Sequence, residues 1–110
     1  MQKILHYTVA DLCVDLEGVS AAVTKACRQP SGPYRVRGLV QVDDAIVLQL
    51  LPRGTWPGEE YRFVEVSDAS AEDIAALLTE RWAAGFDCLG AVSAGDGLTL
   101  CLFARPEGRA

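Results

Sequence analysis

The chain has 110 residues, half of them apolar and 23% charged, with a formal net charge of −5. That length supports one domain with an unstapled core, and the apolar fraction excludes a disordered chain. The acidic balance argues against nucleic acid as partner, since no basic excess exists to displace counterions, and no apolar run approaches the roughly 18 residues of a membrane helix.

The first run, "KILHYTVA", reads as a strand. The start of the chain carries a single Lys, no long apolar stretch and no small-residue cleavage site, so no secretory leader is expected and the expected compartment is the cytoplasm. Leu16, Val19, Val23, Ala26 and Cys27 then recur at helical spacing, and "RQPSGP" stops them, because proline cannot continue a helix. From Tyr34 to Arg53 the chain reads "YRVRGLVQVDDAIVLQLLPR", an alternating hairpin with its turn at Asp43-Asp44. The proline- and glycine-rich stretch Pro52–Glu60 is a connector.

The order then recurs. "EYRFVEV" is strand-like. Ser70 with Asp73 three residues on is an acidic variant of the capping box, and Ile74, Leu77, Leu78, Arg81 and Trp82 follow at helical spacing up to a C-terminal Gly85. A second hairpin, "FDCLGAVSAGDGLTLCLFAR", runs from Phe86 to Arg105. Without gaps it matches the first at Tyr34/Phe86, Gly38/Gly90, Val40/Val92, Asp44/Asp96, Leu48/Leu100, Leu50/Leu102, Leu51/Phe103 and Arg53/Arg105. The expected fold is α+β. Residues 1–110 form a single domain with an internal repeat, 1–53 and 54–106, of two β-α-β-β units. Together they make one mostly antiparallel six-stranded sheet with two helices on one face.

Within the second half, Tyr61, Phe63 and Val64, then Ala84, Gly85 and Phe86, and finally Ala104, Arg105 and Pro106 resemble the strand, turn and end motifs of DUF4177-like small bacterial domains. Phe86 stands where that family usually has Trp. The resemblance covers residues 60–106 and implies a fold; the family brings no activity. In topology alone, the tandem plan is similar to the SOUL and GyrI-like effector-binding domains, which implies a ligand cleft between the halves.

Alternation sorts the strands into two faces. Val36, Val40, Val42, Ile46, Leu48 and Leu50, with Cys88, Val92, Leu98, Leu100 and Leu102, suit the helices. The opposite face receives Arg35, Arg37, Leu39 and Leu51 from the first half and Tyr61, Phe63, Glu65 and Phe103 from the second, beside Gln41, Val47, Gln49, Leu89, Ala91 and Cys101. That face is too apolar to stand in water, so a cover is expected. The first candidate is a second copy, giving a homodimer, or closure of the sheet on itself. The alternative is a groove for a small hydrophobic or amphipathic ligand, oriented by Arg35, Arg37 and Glu65.

No catalytic constellation emerges. His6 is the single histidine, and no serine sits in a nucleophile elbow. Asp43-Asp44 and "GDG" at 95–97 are turn chemistry, and no phosphate-binding glycine motif occurs. Cys13, Cys27, Cys88 and Cys101 have no metal-ligand spacing and are expected to be reduced core residues. No cofactor and no metal is expected. Trp56 is expected to tuck over the core edge.

Overall fold

A computed structural model describes residues 2–28 and 33–107. Its elements are β1 (Lys3–Thr8), α1 (Val9–Val14), α2 (Leu16–Cys27), β2 (Tyr34–Val42), β3 (Ala45–Pro52), β4 (Glu59–Ser67), α3 (Ala71–Ala83), β5 (Asp87–Gly95) and β6 (Leu98–Pro106). The α+β class holds, but the expected six-stranded sheet is two antiparallel sheets of three. Sheet A has the order β1-β3-β2 and sheet B the order β4-β6-β5. In each, the strand that precedes the helix pairs with the second arm of the hairpin.

The expected first helix is two. Thr8 and Asp11 form a reciprocal capping box that starts α1 immediately after β1. Asp15 then leaves helical geometry (φ −150°, ψ 77°), and its carboxylate accepts the Gly18 N–H at 2.9 Å, starting α2. The stop expected at 28–33 lies partly outside the described residues; α2 closes on Arg28. Farther on, Ser70 and Asp73 cap α3 as their spacing indicates, and Gly85 follows the C-cap Ala84 at φ 90°, a conformation that suits glycine.

Two sheets form, rather than one, because side chains occupy the strand edges where the halves would have joined. An uncovered edge is a row of unpaired backbone groups. On β4, the Phe63 N–H donates to Ser20 Oγ at 3.0 Å and the Tyr61 N–H to Thr24 Oγ1 at 3.0 Å, both on α2. On β5, the Gln41 side-chain amide donates to the Ser93 carbonyl (2.7 Å) and its oxygen accepts the Ser93 N–H (2.9 Å), standing in for a strand. On β2, the Val36 N–H donates to the Tyr61 hydroxyl at 2.9 Å. The sheets therefore pack face to face, sharing a core of Val36, Ile46, Leu48 and Leu50 with Tyr61, Phe63, Val92, Leu100 and Leu102, closed by Leu12, Val23 and Cys27 from the helices.

The two expected faces are also redistributed, and backbone register is the reason. A bulge between Val36 and Gly38 moves every later residue of β2 to the other side. Leu39 and Gln41 consequently pair with Leu48 and Ile46 on the inner face, while Val40 and Val42 point outward at 56% and 60% exposure. Between β4 and β6, Phe63 pairs with Leu102 and Arg62 with Phe103, so Phe63 and Phe103 lie on opposite faces of sheet B. A matching bulge sits between Cys88 and Gly90. A further irregularity between Ser93 and Gly95 lets Asp96 (φ 50°) take the first turn position that Asp43 (φ 51°) holds in the other hairpin, one residue away from the ungapped match of Asp44 with Asp96.

The expected pair of helices on one face is corrected as well. Leu77 and Leu78 of α3 pack on the outer face of sheet B, over Phe86, Cys101 and Phe103. Helix α2 instead lies along the β4 edge. Among the described residues no helix lies on the outer face of sheet A, where Ile4, Val40, Val42 and Leu51 are exposed.

Candidate functional site

The eight residues expected on one face go to five places. Tyr61 and Phe63 belong to the inter-sheet core, and Leu39 packs against it. A Cβ added at Gly90 would stand 3.0 Å from Leu39 Cδ2, so glycine there permits the close approach of the sheets. Phe103 is buried beneath α3. Leu51 is partly open on the outer face of sheet A, as the cross-strand neighbour of Arg35. Glu65 lines a shallow groove between α2 and β4. Tyr61 and Phe63 also border that groove, and Arg35 and Arg37 are brought together in a second recess.

That recess is a cleft of about 650 Å³ lined by both arginines. The connector supplies Trp56 and Pro57, β4 supplies Glu59, the C-terminal end of α3 supplies Trp82 to Gly85, and Asp87 and Arg105 complete it. The connector is tied down locally: Arg53 exchanges bonds with Trp56, its carbonyl accepting the Trp56 N–H at 2.9 Å and its guanidinium donating to the Trp56 carbonyl at 2.7 Å. The Trp56 ring does not tuck over the core as expected. It is 60% exposed, and the Arg35 guanidinium lies 4.2 Å from its centroid.

The three arginines of the cleft differ in their partners. Arg37 donates to the Val36 carbonyl and sits 3.4 Å from Glu59, whose Oε1 also accepts the Tyr61 hydroxyl at 2.8 Å. Arg105 pairs with Glu60 at 3.0 Å and lies 4.7 Å from the Phe86 ring centroid. Among the described residues Arg35 has no carboxylate, and its buried Nε has no hydrogen-bond partner. Burial pushes the Tyr61 phenol well above its ordinary range, with the adjoining Glu59 carboxylate acting in the same direction. Trp82, 68% exposed on α3, fits the helical periodicity, and its mark in the sequence as a cleft residue is a large aromatic in the last turn before Gly85.

The larger groove beside it, about 830 Å³ between α2 and β4, is floored by the bonds of Ser20 and Thr24 to the β4 edge. Its polar floor is thus already satisfied by the fold, and the Arg35 cleft is the stronger candidate. Among the described residues no three His, Cys, Asp or Glu side chains gather as a metal site, and no helix is long and apolar enough to cross a membrane.

The cysteines are free, but not all are core residues. Cys27 and Cys101 are buried, Cys88 is half-buried and Cys13 is exposed. Burial pushes the Cys27 thiol to about 11 and raises that of Cys101. A thiol reagent added to the folded protein should therefore label Cys13 first, with Cys27 and Cys101 reacting only in denaturant. Mass mapping of the labelled residues checks it; native labelling of Cys27 ahead of Cys13 would contradict the burial pattern.

No protein-family model, no curated protein and no solved structure matches the chain.

Proposed function

We propose that this protein is a small non-catalytic interaction module that pairs with a second copy of itself through the outer face of sheet A. The observation that carries the reading is the clustering of its exposed apolar side chains. Ile4 (50%), Val40 (56%), Val42 (60%) and Leu51 (36%) all stand on that one face, with Val47 between them. Sheet B shields its equivalent face with α3, whereas among the described residues no helix packs on that face of sheet A. Removing such a patch from water is the commonest driving force for association, and two sheets stacked about 10 Å apart bury it efficiently. A two-fold pair would set the same residues against themselves.

The reading invokes no chemistry. His6 stands exposed on the same sheet face, paired across from Val47, and does not line the Arg35 cleft. Small-molecule binding is a second reading, and it attaches to that cleft rather than to the sheet.

Light scattering tests the pairing. Wild type at micromolar concentration should have twice the chain mass, and Val40→Asp the mass of one chain with an unchanged far-ultraviolet spectrum. A charge at an exposed position costs a monomer only about 0.5 kcal/mol or less. A wild type that is monomeric throughout that range would end the proposal.

A further inference from the structure

We propose that the Arg35 cleft binds a small planar carboxylate, with the Arg35 guanidinium holding the acid and the indoles of Trp56 and Trp82 flanking the ring. The inference goes beyond self-pairing and does not depend on it.

Three observations converge on this cleft. Trp56 and Trp82 are the chain's two tryptophans; they come from a connector and a helix end 26 positions apart in number, yet they line the same recess with most of their surface open to solvent. Water is a poor partner for an indole face, while a planar ligand is a good one. Arg35 is the cleft's one arginine without a carboxylate. Its stacking on Trp56 fixes the plane of its guanidinium, and among the described residues no hydrogen bond or ion pair engages it. A planar fork of donors fits a carboxylate in two parallel hydrogen bonds. Finally, the wall behind it is already rigid, because Glu59 is shared by Arg37 and the Tyr61 hydroxyl. Little ordering remains to be done on binding.

The remaining charges select among anions. Arg37 and Arg105 line the cleft already paired with Glu59 and Glu60, which leaves Arg35 to face one carboxylate, while the second charge of a dianion such as a phosphate monoester would meet Asp87. The volume of about 650 Å³ lies in the range of small-molecule sites.

The test uses the full chain and 1-naphthoate as probe, followed by the two indole N–H resonances in nitrogen-edited NMR spectra. Both tryptophans are in the cleft, so both signals should shift and saturate together. The neutral 1-naphthamide and the variant Arg35→Gln should each bind about tenfold or more weakly, the usual loss when a charged hydrogen-bonding pair is broken. Lys25→Ala, which removes a cation outside the cleft, should bind as wild type does. Arg35→Gln must retain the wild-type amide spectrum, and Trp56→Phe supplies a second variant with weakened binding. Equal affinity for the amide and the acid, unchanged binding by Arg35→Gln, or saturation by inorganic phosphate in place of the naphthoate would each overturn the proposal.

Discussion

Phe103→Ala should lower stability by about 3–5 kcal/mol, the usual cost of removing a fully buried aromatic ring. Phe103 is 1% exposed and packs with Phe86 and Cys101 under Leu77 and Leu78 of α3. Helix α3 has no fully buried residue of its own, so its attachment to sheet B rests on this small cluster. Deleting the ring leaves a cavity that a helix held at both ends cannot fill by collapsing. For a domain whose total stability is typically about 5–15 kcal/mol, that loss moves the urea midpoint far toward zero. The association state should stay that of wild type, because Phe103 faces away from sheet A. A Phe103→Ala protein with wild-type stability and a changed oligomeric mass would return this residue to the exposed face on which alternation had placed it.

Tyr61→Phe should cost about 1–3 kcal/mol while removing a single oxygen. The hydroxyl accepts the Val36 N–H at 2.9 Å and donates to Glu59 at 2.8 Å, and both Tyr61 and Val36 are almost completely buried. Phenylalanine keeps the ring but leaves the buried Val36 N–H unpaired, while Glu59 keeps its Arg37 partner, so the middle of the range is expected. The same site has a pH signature. Burial raises the phenol above its ordinary value of 10.0 and the Cys27 thiol from 9.0 to about 11. Both are acids whose folded pKa is raised, so the unfolded chain releases protons that the fold retains. Their contribution is complete below pH 9 and is lost as pH climbs through the alkaline range. Thermal melts of wild type should fall above pH 9, and Tyr61→Phe should start lower and fall less steeply. A wild-type melting temperature independent of pH over that range would contradict the burial of both groups.

Local chemistry was legible in the sequence because its causes lie within a few residues. Ser70 and Asp73 cap α3, Gly85 closes it, Asp43 and Asp96 turn the hairpins, and each half runs strand, helix and hairpin in order. Each of those outcomes depends on side chains hydrogen-bonding to backbone three residues away, or on a residue's own access to positive φ. Which side chains share a face was not legible, since one bulge before Gly38 inverts the rest of β2, and alternation alone carries no record of a bulge. Phe63 and Phe103 were parted for the same reason: the β4–β6 pairing sets odd positions opposite even ones, and strand length and turn geometry choose between the two parities. The split into two sheets was decided still farther from local sequence. It rests on hydroxyls of Ser20 and Thr24, an amide of Gln41 and a phenol of Tyr61 meeting strand edges 25 to 52 positions away. The cleft has the same origin, for Arg35, Trp56 and Trp82 each have an ordinary local setting, and only the meeting of β2, the connector and the end of α3 makes them one site. Residue order determined the elements and their caps; long-range pairing of edges and faces determined what those elements enclose.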